Sequence, residues 1–372
     1  MGGARDEEHR VSTSSTESME WARFGGAQVS DLAPSVQCEV SEPQGIMDWR
    51  FDTLRLDQQT NGSSLVWVTS TVLHSHANLV DSHIATEFRE IYTRAQSQYN
   101  ATAVSRENKI PAYHNHTHAA DVCQAMHFLC HKSALFSRIP FSSPFYGKSD
   151  IVLYATVFAS AMHDFDHLGV TNDFLVYNSD PLAIRYNDKS VLENHHAASA
   201  FELIHASILS LSNENMKMFR FLVIEMILST DMHHHYDLMS VGVPNPDRDY
   251  LHCLKIALHC ADVSSGTRPL EVCRKWTSLI MEEFFLEGGR SLAINPAHPL
   301  PPMMDRNAAN MAKIQSSFYD VIVRPLFVYF EILCPEIATT CITNLDNNRL
   351  WWLVNGDAFT DHQIDEFSSD VV

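Results

Sequence analysis

The sequence predicts an all-α fold, a compact domain built from many helices, and three observations lead to it. Apolar residues recur at helical spacing, as they do at Ile151, Tyr154, Ala155, Phe158 and Met162. Segments that alternate apolar and polar residues between turns are scarce, so we expect no substantial β-sheet. The chain of 372 residues is 45% hydrophobic and 19% charged, which is typical of a folded globular protein with one large domain and a tail.

The order of the elements follows from the polarity of successive segments. Residues 1–45 are polar and rich in serine and threonine, without sustained apolar periodicity, and we expect a flexible leader or linker there. The folded domain is expected over residues 46–365. Within it, a proline-rich loop from Asn295 to Pro302 separates a helix that ends near Leu286 from one that runs from about Asn307. Long loops inside a compact domain often border a functional site.

The charge and the cysteine content exclude several classes of protein. Asp and Glu number 45 against 26 Lys and Arg, a formal net charge of -19, and this field would repel nucleic acid. An anionic substrate would need bound cations to reverse the local sign. The eight cysteines form no C-x-x-C pair, so we expect reduced thiols in a cytoplasmic protein. With no signal-peptide core and no apolar run long enough to span a bilayer, neither export nor a membrane segment is expected.

Three segments far apart in the sequence each place His or Asp beside an apolar helical run. They are Tyr113 to His118, Met162 to His167 and Leu258 to Asp262. Adjacent His and Asp offer an imidazole nitrogen and a carboxylate that can bridge two ions. Two His and two Asp suit zinc, and a neighbouring site of carboxylate and water suits magnesium or manganese. Such a two-metal centre can hold a hydroxide for in-line attack on phosphorus, although residue types alone leave open that these histidines are structural.

One long motif narrows the interpretation. The run from His163 to Phe174 resembles the signature of the class I cyclic nucleotide phosphodiesterases. Further matches follow in the family's order: Tyr113-His114-Asn115 with His118 to Val122, Tyr186 to Asp188 with Ser190 to His196, Thr230 to Met232, Leu258 to Asp262, Ile280 to Phe285, and Gln315 with Phe318. The resemblance covers roughly residues 50–355 and is closest to the cyclic AMP members and to the dual-specificity members of trypanosomatid parasites.

The resemblance implies a deep pocket with two divalent metal ions, zinc at the His and Asp site and magnesium or manganese at the second. The residues that match the family's metal ligands are His118, His163, Asp164 and Asp262. His114 matches the general acid that protonates the departing ribose O3′. Glu283 would orient His114, the alternative being an exposed carboxylate on a helix. The residues at positions that hold metal-bound water are His167, Glu193 and Thr230.

The same resemblance identifies residues that would bind the substrate. Gln315 matches the family's purine-reading glutamine, whose carboxamide offers both a donor and an acceptor. The other substrate-binding positions are Tyr113, Phe318 and Ile280, of which the last two would clamp the purine or, alternatively, are core residues. Ser265 and Cys273 stand where the cyclic AMP members would have Asn and Tyr. Because neither can lock the Gln315 amide well, we expect cyclic AMP and cyclic GMP to be used within about tenfold of each other.

These matches predict an enzyme that cleaves the 3′ phosphoester of 3′,5′-cyclic nucleotides to the 5′-monophosphate, with His114 as general acid. Two alternatives remain. Another helical His-Asp phosphohydrolase would share the metals but would not need the purine clamp of Gln315 and Phe318. A catalytically silent, nucleotide-sensing scaffold would have lost a ligand or the acid, and every such position is filled here. The sequence predicts a cyclic nucleotide as substrate and no particular protein partner.

Overall fold

The computed structural model describes residues 45–297 and 299–356, and across them the chain forms sixteen α-helices and no β-strand. This confirms the predicted all-α fold. The expected leader at residues 1–45 lies outside the described residues apart from its last position, as do residues 357–365 of the expected domain. None of the described helices is both long and apolar enough to cross a membrane.

The helices follow one another with short connections, and 3₁₀ or π-helical turns lie between some of them. The α-helices are α1 Thr53–Gln59, α2 Ser64–Ser75, α3 Ser82–Gln98, α4 Ala101–Glu107, α5 His116–Lys132, α6 Ser149–Met162, α7 Asn172–Tyr177, α8 Pro181–Tyr186, α9 Val191–His205, α10 Asn213–Leu228, α11 His235–Ser240, α12 Pro246–Asp262, α13 Leu270–Ile294, α14 Met311–Phe318, α15 Arg324–Glu331 and α16 Thr343–Asn355. The 3₁₀ turns lie at Met232–His234, Val263–Thr267 and Pro302–Met304, and the π-helical turns at Tyr319–Val323 and Ala338–Ile342.

Helix α6 is the central element of the core. Its residues from Ile151 to Met162 are all buried, as expected of a helix that is apolar on every side. Helices α5 and α10 pack along it, and α12 packs against α5. Aromatic rings fill the space between these helices, with the Phe158 ring 5.4 Å from that of Phe219. The C-terminal end of α6 is therefore held inside the domain, and the His163 side chain that follows it is fully buried.

Asparagine side chains fix where α5 and α12 begin. The Asn115 carboxamide oxygen accepts from the backbone N–H groups of Thr117 at 2.9 Å and His118 at 3.4 Å. In α12 the Asn245 side chain accepts from the N–H of Asp247 at 2.9 Å. These N-caps satisfy amides that a helix leaves without partners in its first turn. The position of the first turn of α5, and of His118 within it, is therefore set by Asn115.

The predicted bounds of the helices around the proline-rich loop were wrong. Helix α13 continues to Ile294 rather than ending near Leu286, because Gly288 within it serves packing. A Cβ on Gly288 would lie 2.1 Å from the Met304 carbonyl oxygen, so glycine allows the loop to approach the helix there. Helix α14 begins at Met311 rather than about Asn307, since the Asn310 side chain caps it by accepting from the N–H of Lys313.

Candidate metal centre and active site

Three helix ends bring four predicted ligands together. His118 lies in the first turn of α5, His163 and Asp164 follow the end of α6, and Asp262 is the last residue of α12. One ligand atom from each of these four side chains lies within 4.8 Å of the others. The C-terminal ends of α6 and α12 carry partial negative charge, which favours a cation at this point. Residues distant in sequence thus form one compact donor set.

The hydrogen bond made by His163 fixes which of its ring nitrogens faces the two carboxylates. Its Nδ1 donates to the Ser160 carbonyl at 2.9 Å, because a carbonyl oxygen can only accept. In the neutral ring, Nε2 then carries a lone pair and no hydrogen. It lies 3.1 Å from Asp164 Oδ2 and 3.3 Å from Asp262 Oδ1. Both Nε2 and Asp164 Oδ2 are buried without a hydrogen-bond partner. Opposed buried acceptors are unfavourable unless a cation lies between them, so these residues fit a metal ion.

The two carboxylates are ionised, as metal ligands must be. Burial raises the pKa of Asp262, but the neighbouring imidazoles of His118 and His163 outweigh it and hold that pKa below its usual range. The same balance, of burial against the nearby imidazoles of His163 and His114, keeps the pKa of Asp164 low. His118 Nε2 lies 3.2 Å from Asp262 Oδ1 and 3.5 Å from Asp164 Oδ2. The set therefore supplies two imidazole nitrogens and two negative charges.

Glu283 orients His114 beside this donor set. Its Oε1 lies 2.5 Å from His114 Nδ1, and its Oε2 accepts from the backbone N–H groups of Tyr113 at 2.8 Å and His114 at 3.1 Å. Only 4% of Glu283 is exposed, so it is not the exposed carboxylate that the sequence left as an alternative. Burial lowers the pKa of His114, but the charges of Glu283 and Asp164 outweigh it and raise that pKa to about 9. Burial raises the pKa of Glu283, and the His114 charge more than reverses this, to about 2.

His167 and His196 border the other side of Asp164. The His167 ring stacks on His114 with centroids 4.1 Å apart, and its Nδ1 accepts from the N–H of Gly169, which leaves Nε2 as the donor. His196 donates through Nδ1 to the Phe165 carbonyl at 2.8 Å, which leaves Nε2 as an acceptor 3.8 Å from Asp164 Oδ1. Burial lowers the pKa of both histidines, that of His196 to about 4. Sequence reasoning assigned His196 no role, although it stands in the matched run at the start of α9.

Glu193 and Thr230, predicted to hold water near the metals, are not bonded to the donor set among the described residues. Glu193 accepts from the Asn172 side-chain amide at 3.0 Å, and burial together with the charge of Asp231 raises its pKa to about 7. Thr230 is buried and donates its hydroxyl proton to the Ile227 carbonyl at 2.8 Å. The hydroxyl oxygen can still accept a hydrogen bond from water.

The predicted substrate-binding residues lie on two apolar clusters. Tyr113 packs against His118, with ring centroids 4.4 Å apart, and against Trp276 at 5.4 Å. Ile280 is partly buried and contacts both this cluster and the main core, to which Phe318 of α14 also belongs. Trp276, which sequence reasoning missed, is almost fully buried and packs against the rings of Tyr113 and His118. A lone tryptophan in a helix gives no local signal that it supports a ligand.

Gln315 is buried on helix α14, and the two positions expected to surround it, Ser265 and Cys273, have contacts of their own. Gln315 is 6% exposed. Burial raises the pKa of Tyr113, which lies beside Ser265, well above its usual value. Cys273 is fully buried, and its sulfur lies 3.1 Å from the Tyr319 hydroxyl. The seven cysteines among the described residues are all free and buried.

Comparison with known proteins agrees with this geometry. Residues 113–345 match the 3′5′-cyclic nucleotide phosphodiesterase family. The chain is 33% identical to the probable 3′,5′-cyclic-AMP phosphodiesterase pde-4 of Caenorhabditis elegans over 83% of its length and 46% of that protein. It is 37% identical to 3′,5′-cyclic-AMP phosphodiesterase 4C of Mus musculus over 65% of its length and 36% of that protein. The chain thus spans about a third to a half of these relatives.

A solved structure has the same fold. It is the crystal structure of the phosphodiesterase domain of the RhoPDE fusion protein from the choanoflagellate Salpingoeca rosetta. The two superpose with a TM-score of 0.70 at 25% sequence identity, and the likeness covers 85% of this chain and 97% of that one. The helices that carry the donor set all lie within the part of the sequence that matches the family.

Proposed function

Because the chain belongs to the 3′,5′-cyclic nucleotide phosphodiesterase family, we propose that it hydrolyses the 3′ phosphoester of cyclic AMP and cyclic GMP, giving the 5′-monophosphates. The observation that carries the proposal is the convergence of His118, His163, Asp164 and Asp262 beside the His114–Glu283 pair. Separate segments place donors for a cation next to an acid that can serve a leaving oxygen. A cation can neutralise phosphoryl oxygens, and an acid can protonate the leaving oxygen.

The cation site is the first part of the proposal. The two His and two Asp suit zinc, and the space around Asp164 that His167 and His196 border suits a second ion such as magnesium or manganese. Divalent cations bound there would neutralise phosphoryl oxygens and lower the pKa of a water molecule. The chain's own contribution is orientation: the Ser160 carbonyl fixes the His163 tautomer, and the Asn115 cap fixes the first turn that carries His118.

His114 is the proposed general acid. Its Nδ1 is bonded to Glu283, so Nε2 is the atom left to give a proton to the ribose O3′ as the P–O bond breaks. The raised pKa keeps the imidazole protonated at neutral pH, and Glu283 stabilises that charge. His167, neutral because burial lowers its pKa, stacks on His114 without competing for the proton. We further propose that His167, Glu193 and Thr230 hold water around the cations.

The purine is proposed to lie between Phe318 and Ile280, with Gln315 reading its edge and Tyr113 bordering the site. Phe318 and Ile280 are both partly buried, as the walls of an open cleft would be. The Gln315 carboxamide has both a donor and an acceptor, so by turning it could pair with either purine. This supports use of cyclic AMP and cyclic GMP with efficiencies within about tenfold, a difference of about 1.4 kcal/mol.

Steady-state kinetics test the proposal. Purified protein is assayed with cyclic AMP, cyclic GMP and a nucleoside triphosphate, with divalent metal present and after treatment with a chelator. We expect both cyclic nucleotides to be hydrolysed, the triphosphate to be inert, and the chelator to abolish turnover. Turnover of the triphosphate alone would favour the other His-Asp phosphohydrolases. A preference beyond about a hundredfold for one cyclic nucleotide would contradict the dual specificity but not the phosphodiesterase activity.

A further inference from the structure

One face of helix α13 carries a second buried carboxylate besides that of Glu283. Glu287 follows Glu283 by four residues, so the two side chains lie one helical turn apart on the same side of the helix. Glu287 is 4% exposed. Its Oε2 accepts from the backbone N–H of Thr171 at 2.9 Å, and its Oε1 accepts from the Thr171 hydroxyl at 2.7 Å. Glu283 thus holds the segment that carries His114, and Glu287 holds the segment that leads into α7.

The segment held by Glu287 leads directly from His167 to the first residue of α7. Arg290, further along α13, donates to the Gly169 carbonyl at 3.2 Å, and the N–H of Gly169 donates to His167 Nδ1 at 3.0 Å. Gly169 has a φ of +65°, a left-handed conformation that favours glycine. Side chains of α13 therefore hold the backbone between His167 and Thr171 at two points.

Asn172, the residue after Thr171, continues the connection to helix α9. Its Oδ1 accepts from the backbone N–H of Leu192 at 2.8 Å, and its Nδ2 donates to Glu193 Oε2 at 3.0 Å. Among the described residues, the N-cap of α9, Ser190, makes no side-chain capping hydrogen bond, so Asn172 supplies an acceptor that the first turn of α9 needs. A series of hydrogen bonds thus runs from α13 to Glu193.

We propose that Glu287 is a positioning residue for the metal centre: by holding Thr171 it fixes Asn172, and through Asn172 it orients Glu193 toward the water around the cations. The inference rests on the proposed function, in which Glu193 holds that water. Glu287 acts only through Thr171 and Asn172. Removing a group that orients the surroundings of a metal ion typically lowers metal affinity or activity by about 10-fold to 100-fold.

The length of the Glu287 side chain matters for this role, and its charge does not. Both donors to Glu287, the N–H and the hydroxyl of Thr171, are neutral groups. Burial raises the pKa of Glu287 in spite of these bonds, so the surroundings do not favour a negative charge. A glutamine amide has the same length, and it can accept from the Thr171 N–H and donate to the hydroxyl oxygen. Glutamine should therefore replace Glu287, whereas aspartate keeps the charge but is one methylene too short.

Two substitutions at Glu287 test the proposal through metal affinity. Mn²⁺ binding to the zinc-loaded protein is titrated without substrate and followed by electron paramagnetic resonance, and kcat for cyclic AMP is measured as a function of Mn²⁺ concentration. Glu287→Asp should weaken Mn²⁺ binding about tenfold and raise the Mn²⁺ concentration for half-maximal turnover equally, with KM for the nucleotide unchanged. Glu287→Gln should keep both quantities within about twofold of the wild type.

Glu87 offers a matched control for the loss of a buried contact. It is 6% exposed on α3 and accepts from the N–H and the hydroxyl of Ser210 at 2.7 Å and 2.5 Å, the same pattern that joins Glu287 to Thr171. Glu87→Asp should lower the urea midpoint about as much as Glu287→Asp does and leave Mn²⁺ affinity unchanged.

Two results would overturn the inference: unchanged Mn²⁺ affinity in Glu287→Asp, or an equal loss of affinity in Glu287→Gln and Glu287→Asp. A wild-type protein that binds Mn²⁺ but hydrolyses no cyclic nucleotide would refute the proposed function instead, and the titration would still decide whether Glu287 positions the metal centre.

Discussion

At the scale of single residues, the hydrogen bond from His163 Nδ1 to the Ser160 carbonyl does most to define the donor set. Because its Nδ1 is committed to Ser160, only Nε2 can meet the carboxylates of Asp164 and Asp262. A side chain that merely filled the core would not leave two buried acceptors facing each other. The same principle supports the role proposed for His114, since the bond to Glu283 leaves a single nitrogen for proton transfer.

Asp164→Ala should abolish nearly all activity and release bound metal. The substitution removes the carboxylate that lies against His118, His163 and the His196 side of the site. Elemental analysis of the purified protein together with turnover checks this. Asp173→Ala is a suitable control, because Asp173 belongs to the same matched motif but is exposed, and its metal content should equal that of the wild type. If Asp164→Ala retained full metal and wild-type turnover, the assignment of the donor set would be wrong.

His114→Ala should lower kcat by about a hundredfold or more without loss of metal, the range expected for a missing general acid. The imidazole is active when protonated, so the wild-type rate should fall as pH rises through its pKa of about 9, and the variant should lack this alkaline limb. The pH dependence of kcat measures both effects. Bis(p-nitrophenyl) phosphate has a leaving group that needs no proton, so the variant should hydrolyse it almost normally. Equal losses on both substrates would exclude the acid role.

At the scale of elements, the position of α5 depends on its first turn. Asn115→Ala deletes the cap that accepts from Thr117 and His118, and should reduce the free energy of unfolding by about 0.5–2 kcal/mol. It should also weaken metal affinity, because His118 lies in the uncapped turn. Urea unfolding and metal titration measure the two effects. Asn245→Ala removes the cap of α12 far from Asp262, so it should affect stability alone. Equal metal affinity in the two variants would show that the cap does not position His118.

At the scale of the whole molecule, a buried ion pair and the hydrogen bonds around it connect the start of the described chain to its last helix. Arg268 lies 3.2 Å from Asp121, and both are almost fully buried. Asp121 also accepts from the Thr53 hydroxyl, Arg268 donates to the Trp49 carbonyl, and Asn348 of α16 donates to the Arg268 carbonyl. Four separate segments meet at this point, one turn of α5 beyond His118. The ion pair thus links α5, the helix that carries His118, to three other segments of the chain.

Arg268→Met should reduce the free energy of unfolding by about 3–5 kcal/mol, because it leaves the Asp121 charge buried without a partner. Replacing both members, in Asp121→Asn with Arg268→Met, removes the stranded charge and should be less destabilising than the single change. Equilibrium unfolding in urea, compared across the two variants, measures this difference. A loss under about 1 kcal/mol for the single variant would mean that water or a rearrangement replaces the pair.

The sequence by itself determined the helical class, the segments that carry His and Asp, and the family that their order resembles. These follow from periodicity and residue type, which are local properties. It misjudged the end of α13, because Gly288 serves a contact with Met304 that lies outside any local window, and the start of α14, which the Asn310 cap fixes. Only the tertiary structure decided that Glu283 is buried against His114 and that the Tyr319 hydroxyl takes the hydrogen bonds around Cys273. Hydrogen-bond partners and burial depend on residues brought together from separate helices, and no spacing along one chain specifies them.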